Sequence, residues 1–442
     1  MKRLILILFA GVAGILFPSI SVNAQQDSIW TLDMCITRAY DQNIQVRKGE
    51  VSNQQSAVYA DQARAQKMPS LNGSINENFN WSKSSPTTTS GFSGFNGSNY
   101  SLNSGVVLFN SSRLNNQVKQ ADLQLESGQL SLETTKESIS LNILDAYLQV
   151  LYSEEQVRNT QKQIESITSQ LNLAKERLDL QVISTSDYAR VKSQLASEKL
   201  TLANSESQLS IAKINLMQLI ELPVRGNFDV VHPDLDQVLN KQMVPDVRKV
   251  YEAALAIKPQ IKNATVNKEI SALDEKIAKA SYFPVLSASA GVSSAFSSRT
   301  TDPYFDQLNN GISPSVGFSI SIPIYQKKQA RTSVEVARLG YQNSELSEID
   351  TRNQLRKSIE QACLDVTSAQ VEYEANIENY NAMLDASTLS DEQFNQGMIN
   401  STDYLVSKTN LIVAESQLLQ SKYNLIYSYK VLDFYMGVPL TL

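Results

Sequence analysis

Val285-Leu286-Ser287-Ala288-Ser289-Ala290-Gly291-Val292-Ser293-Ser294-Ala295-Phe296 decides how this chain folds. Leu286, Ala288, Ala290, Val292 and Phe296 fall on one side of a period of two; Ser287, Ser289, Gly291 and Ser293 fall on the other. That is the alternation of a β-strand. Its second face is polar but uncharged, where a strand of a soluble sheet would carry charge. A stretch of nine to twelve residues is also what a tilted membrane strand needs. Three further stretches share the pattern. Pro314–Ile322 sets Val316, Phe318, Ile320 and Ile322 against Ser315, Gly317, Ser319 and Ser321. Leu71–Trp81 sets Leu71, Ile75, Phe79 and Trp81 against Asn72, Ser74, Asn76, Asn78 and Asn80, with Glu77 its only charge. Ser98–Leu108 places Tyr100, Leu102, Val106 and Leu108 together. Aromatic residues cluster near the ends (Trp81, Tyr100, Phe109, Phe296, Tyr325), and the connectors Ser82–Gly97 and Ser297–Ile312 are rich in Ser, Thr, Asn and Gly.

Four strands cannot close a barrel, and an open strand edge is not tolerated in lipid. Either the strands form a small soluble sheet, or several chains pool them. The sequence on either side of the strands favours pooling. Ser112–Leu180 contains no proline and a single glycine, Gly128. Its apolar residues recur at three- and four-residue steps through Leu114, Val118, Ala121, Leu125, Ile139, Ile143, Ala146 and Val150, as in a coiled coil. Lys328–Gln396 repeats this, again with one glycine, Gly340. Each predicted helix is about 100 Å long at ~1.5 Å per residue, and the opposite faces are dense in Gln, Asn, Ser, Lys and Glu. Such a helix reads as a wall with water on at least one side.

The chain is one unit written twice. Ala39 matches Ala254, Ser56 matches Ser271, Pro69 matches Pro284, and Leu71 matches Leu286. Further along, Val118 matches Val334, Ala146 matches Ala362, Asp187-Tyr188 matches Asp403-Tyr404, and Pro223 matches Pro439. Residues 25–223 form the first unit and 247–442 the second, joined by 224–246 with its prolines and His232. Each unit runs as a helix, a proline, two strands, a very long helix, a turn and a second helix. The turns are Gln181-Val182-Ile183-Ser184-Thr185-Ser186-Asp187 and Gly397-Met398-Ile399-Asn400-Ser401-Thr402-Asp403. Gly397 suits a helix C-terminus, and Ser, Thr or Asp suits the next N-terminus. Each helical hairpin is therefore expected to carry an exposed apolar pair at its tip, Val182-Ile183 or Met398-Ile399.

Residues 1–24 read as a secretory signal peptide: Lys2 and Arg3, an apolar run from Leu4 to Phe17, and Val22-Asn23-Ala24 before the cleavage point. Composition narrows the function. Sixteen glycines and 12 prolines in 442 residues are about half the usual share, as long uninterrupted elements require. A net charge of −6 argues against nucleic acid as a partner. Mean hydropathy of −0.24 excludes a polytopic helical membrane protein but not a membrane barrel. One histidine and two cysteines leave no zinc-ligand set, and any triad would have to run through His232. No phosphate loop or carboxylate pair is evident, so no enzyme, metal or cofactor is expected. Cys35 and Cys363 read as small buried hydrophobes.

These features, in this order and doubled, resemble the TolC-like outer-membrane efflux protein family over about residues 30–440. Trp30-Thr31-Leu32-Asp33 with Ala39 and Asn43 carries the resemblance at the start. Pro69-Ser70-Leu71 and Pro284-Val285-Leu286 carry it before the strands, and Leu108-Phe109-Asn110 and Ile324-Tyr325-Gln326 after them. The hairpin tips and the Leu222-Pro223 and Val438-Pro439 closings complete it. The resemblance implies an α+β membrane protein of a Gram-negative bacterium. It would be a homotrimer pooling four strands per protomer into a twelve-stranded barrel in outer-membrane lipid, above a hollow α-helical barrel in the periplasm. It implies a passive exit duct of a tripartite efflux or type I secretion system. The tips, Val182, Ile183, Ser184, Gly397, Met398, Ile399 and Asn400, would dock a periplasmic adaptor protein that joins an inner-membrane pump. Ser186, Asp187 and Asp403 match the family's pore-closing positions. Phe394, Ile399 and Val406 depart from its pattern, standing where a tyrosine, a basic residue and a second carboxylate would help close the pore. Asp187 and Asp403 read equally as plain helix caps. A non-conducting coiled-coil protein of the cell envelope is the alternative.

Overall fold

A computed structural model describes residues 29–83, 92–223, 228–235, 239 and 246–442; the expected signal peptide and much of the linker 224–246 lie outside the described residues. The chain opens with a two-residue strand, β1 (Ile29–Trp30), followed by helices α1 (Leu32–Gln42) and α2 (Ile44–Ala65). Strands β2 (Ser70–Lys83) and β3 (Phe92–Phe109) come next, then the long helix α3 (Arg113–Asp179) and its return α4 (Thr185–Leu219). A second two-residue strand, β4 (Asp229–Val230), lies between the repeats and pairs in parallel with β1. The second repeat holds α5 (Val247–Ile257), α6 (Pro259–Lys279), β5 (Val285–Ser297), a short helix α7 (Tyr304–Asn310) and β6 (Ser313–Ser321). It ends with the long helix α8 (Gln329–Asn395) and its return α9 (Ser401–Tyr435).

The leading helix of each repeat is broken in two, a correction to the single helix expected there. In the first repeat Asn43 leaves helical geometry, its side chain accepting from the Gln45 N–H at 2.8 Å and donating to the Leu219 carbonyl at 2.8 Å. In the second repeat Lys258 precedes Pro259, which drives it out of the helical region.

Both long helices contain 67 residues, about 100 Å at ~1.5 Å per residue. Each is entered through two consecutive left-handed residues: Ser111 and Ser112 with φ of 53° and 63°, and Lys327 and Lys328 with φ of 49° and 67°. None is glycine, and the repeat of this costly turn in both halves marks a strand-to-helix corner that the fold enforces.

The helices are held together near their middles. Leu32, Cys35, Ala39 and Val46 pack with Ile143, Leu144, Tyr147 and Leu151 of α3, Leu216 of α4 and Ile426 of α9. The second repeat builds the equivalent cluster from Val250, Ala254 and Ile261 with Leu355, Ile359, Cys363 and Val366 of α8 and Leu432 of α9. Each fully buried aliphatic side chain contributes about 1.5–3 kcal/mol. Cys35 and Cys363 are buried and unpaired; burial pushes the Cys35 thiol up to about 12 and raises Cys363 as well.

The four longer strands form one antiparallel sheet in the order β2-β3-β5-β6. The first hairpin runs further than its alternation suggested. Its pairing extends to Lys83↔Phe92, so half of the connector expected at Ser82–Gly97 is strand. A register shift between Val107 and Phe109 marks a bulge at the base of β3.

Candidate functional site

The sheet keeps its two faces distinct through register. Leu71, Ser104, Ala290 and Val316 stand in one cross-strand row, and Val106, Ala288 and Phe318 in another. The other face stacks Asn72, Asn103, Gly291 and Ser315, then Ser74, Ser101, Ser293 and Ser313. The Ser74 and Ser101 hydroxyls lie 2.7 Å apart. The polar rows are Asn, Ser, Gly and Ala apart from Val107, Phe95 and Val285, and carry no charged side chain; Glu77 falls on the opposite face, in the row of Ser98 and Phe296. On the apolar face Val316 and Phe318 are 78% and 72% exposed. Among the described residues no long helix packs on either face of the sheet. Among the described residues the edge strands β2 and β6 each have one unpaired side.

At the far end, the two hairpins turn through matched corners. Gln181 (φ 59°) and Gly397 (φ 73°) take the left-handed position that ends each long helix. Val182 N–H then reaches the Arg177 carbonyl at 2.9 Å and Met398 N–H the Gln393 carbonyl at 2.8 Å, the same closing bond twice. Glycine adopts that geometry freely; Gln181 adopts it at a cost.

The expected exposed apolar pairs are only half present. Val182 is 70% exposed and Met398 62%. Ile183 and Ile399 are half-buried. Ile183 packs beside Ile167, Ala174, Val191 and Leu195, the small apolar cluster that fixes the first hairpin near its tip. Each turn points the first residue of its pair outward, and the first turn folds Ile183 back against its own hairpin.

Ser184 and Asn400 are the N-caps of α4 and α9. Ser184 Oγ accepts from Asp187 N–H at 3.1 Å, and Asp187 Oδ2 accepts from Ser184 N–H at 3.3 Å, a reciprocal capping box. Asn400 Oδ1 accepts from the N–H groups of Thr402 and Asp403, at 2.8 and 2.9 Å, and its amide donates to Asp403 Oδ2 at 2.8 Å. Asp187 and Asp403 thus both sit in the first turn of a return helix, where the helix dipole favours a carboxylate. Their further surroundings differ. Asp187 Oδ1 also accepts from Ser401 Oγ of the second hairpin. That bond, the bonds from Ser184 and the nearby Arg190 guanidinium hold the Asp187 carboxyl below the usual carboxylate range. Asp403 is exposed and bonded only within its own turn among the contacts described. Ser186 is exposed beside Asp187.

Two further residues, Arg190 and Arg177, tie the hairpins, and sequence reading missed them. Arg190 donates to Thr402 Oγ1. Arg177 donates to the Phe394 carbonyl at 3.4 Å and the Asn395 carbonyl at 3.2 Å, with its guanidinium 5.5 Å from the Phe394 ring centre. Phe394, lacking a hydroxyl, stacks on Tyr404 at 4.5 Å and an interplanar angle of 14°. Lys408 pairs with Asp391 at 2.6 Å within the second hairpin. Exposed Val406 takes no part in these bonds.

His232 lies 2.9 Å from Glu154, whose other oxygen is 2.7 Å from Lys213. This polar cluster fastens the inter-repeat segment to α3 and α4. No metal-binding group of His, Cys, Asp or Glu occurs among the described residues, and no described helix is long and apolar enough to cross a membrane.

A family model described as outer membrane efflux protein matches residues 35–221 and 250–438, one match per repeat. No curated protein sequence matches the chain. Among solved structures, the fold is similar to that of CusC, described for its transmembrane channel formation, with TM-score 0.79, 15% identity, and coverage of 94% of this chain and 96% of that one. It is also similar to the Campylobacter jejuni CmeC outer membrane channel, with TM-score 0.75, 15% identity, and coverage of 92% and 85%. The outer membrane protein VceC from Vibrio cholerae gives TM-score 0.70, 16% identity, and coverage of 92% and 94%. At these identities the likeness is one of fold.

Proposed function

We infer from the membership of this chain in the outer membrane efflux protein family, a family of channels and not of enzymes, that it forms the outer-membrane exit duct of a tripartite efflux or type I secretion system. The observation that carries this reading is the open four-stranded sheet, with one apolar and one uncharged polar face and two free edges, mounted on helical hairpins about 100 Å long. Three chains joining β6 of one to β2 of the next remove every edge, as lipid requires. Twelve strands then enclose a lumen of Asn, Ser and Gly side chains, with the apolar rows facing lipid. The helices continue the lumen into the periplasm.

At the periplasmic end the tips have two roles in this reading. Val182 and Met398, the outward residues of the two turns, meet a periplasmic adaptor, which links the duct to an inner-membrane pump. Ser184, Gly397 and Asn400 shape that surface, while Ile183 and Ile399 brace it from within. Asp187 closes the pore by holding the second hairpin through Ser401. Asp403 and Ser186 line the approach without a cross-hairpin bond of their own. Arg177 and Arg190 supply the cross-links that the family's usual tyrosine and basic residue do not supply here.

The test is assembly and conduction. A detergent-solubilised trimer that conducts ions in a planar bilayer is the expected result. A water-soluble monomer, the behaviour of a non-conducting envelope coiled coil, overturns the duct reading.

A further inference from the structure

The connector between β5 and β6 is not the loose Ser/Thr/Asn loop expected over Ser297–Ile312. It holds α7 (Tyr304–Asn310), and the contacts of α7 place it on the apolar face of the sheet. Tyr304 packs its ring 4.6 Å from Phe296, and its hydroxyl lies 2.6 Å from that of Tyr100. Ser294 Oγ donates to the Leu308 carbonyl at 2.6 Å. Ser294 and Phe296 share a face with Leu286, Ala288, Ala290 and Val292, and Tyr100 and Ser98 are their partners on β3. The helix therefore leans on the outer wall, far from the hairpins. Gln307 completes the attachment, accepting from Ser297 N–H at 2.9 Å and donating to the Asp302 carbonyl at 2.7 Å.

Phe305 is 79% exposed on this helix. On the same face of the sheet, Phe79 and Trp81 are exposed and stacked at 6.4 Å. Together they make an aromatic band at the distal end of the strands. A second band lies at the base, where Phe109, Tyr282, Phe283 and Tyr325 are exposed. Leu286 to Phe296 spans about 33 Å of strand at ~3.3 Å per residue, which a tilt of about 40° reduces to about 25 Å, the height of the apolar band of a membrane barrel. Aromatic side chains concentrate at both borders of such a band.

We propose that α7 is a membrane-interface element, lying against the outer wall of the sheet in the headgroup layer of the outer leaflet with Phe305 entering the acyl boundary. The proposal rests on reading the sheet as a barrel wall. Irregular backbone on the lipid side of a barrel would leave peptide groups unsatisfied. Folding the connector as a helix, and bonding its ends through Gln307 and Ser294, removes that cost and lets it lie where an open loop could not. The exposed acidic residues Asp302 and Asp306 keep the element at the wet border and out of the hydrocarbon.

Site-directed spin labelling tests this in the full chain. Cys35 and Cys363 are 0% and 4% exposed, so the unmodified trimer is expected to take no label. F305C, F318C and T301C trimers are labelled, reconstituted in phosphatidylethanolamine–phosphatidylglycerol vesicles, and compared for collision with oxygen and with a neutral nickel chelate. F318C, in the middle of the apolar face, should be oxygen-rich and nickel-poor; T301C, exposed in the connector, should be nickel-rich. F305C should fall between them, with nickel accessibility several-fold below that of T301C. N309C, one turn along on the same helical face, reports the same depth with Phe305 in place should F305C fail to assemble. Nickel accessibility equal to T301C would put the helix in water, and protection from both reagents would put it beneath a neighbouring chain; either overturns the proposal. If F318C itself meets no lipid, the barrel reading falls and the placement of α7 falls with it.

Discussion

Ser401 Oγ donates to Asp187 Oδ1, so the first turn of the second return helix is bonded to the first turn of the first, at the tips of two hairpins from different halves of the chain. Asp187 also serves its own helix as the acidic member of a capping box with Ser184. One carboxylate thus closes its own turn and holds its neighbour. Ser401→Ala removes only the second task. The expected result is a trimer with unchanged thermal stability and several-fold higher single-channel conductance in planar bilayers. Conductance equal to the unmodified chain would take this bond out of the closing mechanism.

The same bond sets a pH dependence. The Asp187 carboxyl is held below its ordinary value by hydrogen bonds to its charged form. A lowered folded pKa means that the stabilisation is complete above the unfolded value, about 3.9 for an aspartate, and is lost only as pH falls through the lowered one. Conductance should therefore stay flat from neutral pH down to about pH 4 and rise below it. Asp187→Asn should abolish that acid response. A rise centred near pH 6 would point to another group.

The tips separate docking from bracing. Val182 and Met398 are outward, so Val182→Asp with Met398→Asp should abolish export while leaving trimer yield and melting temperature unchanged. Ile183 packs among Ile167, Ala174, Val191 and Leu195, so Ile183→Asp buries a charge and should lower stability before it affects docking. Export and thermal unfolding, measured on both variants, distinguish the two. Full export by the Val182/Met398 double variant would remove the adaptor surface from these residues.

What was legible in the sequence follows from what each signal encodes. The period-two rows through Leu286 and Phe318 and the proline-free runs of α3 and α8 are local patterns, and they located strands and helices directly. The break at Asn43 carries no proline; it exists because the Leu219 carbonyl, far along the chain, takes a hydrogen bond there. The matching break at Lys258 is legible through Pro259, which disfavours a helical residue before it. Ser401 and Asp187 lie 214 residues apart, and Arg190 and Thr402 lie 212 apart. Nothing in a single chain's local pattern joins such pairs. The inward turn of Ile183 is a consequence of the closing bond at Val182, which a hydrophobic pair in a turn does not reveal. Helix α7, seven residues long, is too short for a periodicity to register.

Lys258 offers a prediction about the trunk of the molecule. It is almost fully buried, with its ammonium 3.2 Å from Glu137 and 3.2 Å from the ring centre of Phe434. Burial pulls its pKa down despite the Glu137 carboxylate. Lys258→Ala removes the partner of a half-buried carboxylate and opens a gap against Phe434. A cost of about 2 kcal/mol is expected, below the full penalty for breaking a buried pair because Glu137 keeps some solvent. Lys258→Met keeps the stem packing and should recover part of it. Thermal unfolding of the detergent-solubilised protein reads both values, and an unchanged midpoint for Lys258→Ala would show that the pair adds nothing net.

The strand-to-helix corners give the last prediction. Ser112 and Lys328 each take a left-handed conformation at the start of a long helix, with φ of 63° and 67°. A β-branched side chain is poorly accommodated there, whereas glycine adopts the geometry freely. Ser112→Val or Lys328→Val should each destabilise by about 1–2 kcal/mol, and the glycine variants should be neutral or stabilising. The effect should be on assembly as well as on melting. Each corner sets the angle between the sheet and the helical wall, and three chains must share one angle to bring β6 of one beside β2 of the next. Trimer yield on unheated gels should therefore fall in the valine variants and hold in the glycine ones. Equal yields across both substitutions would show that the corner angle is set elsewhere, by the packing of α2 and α6 on the long helices.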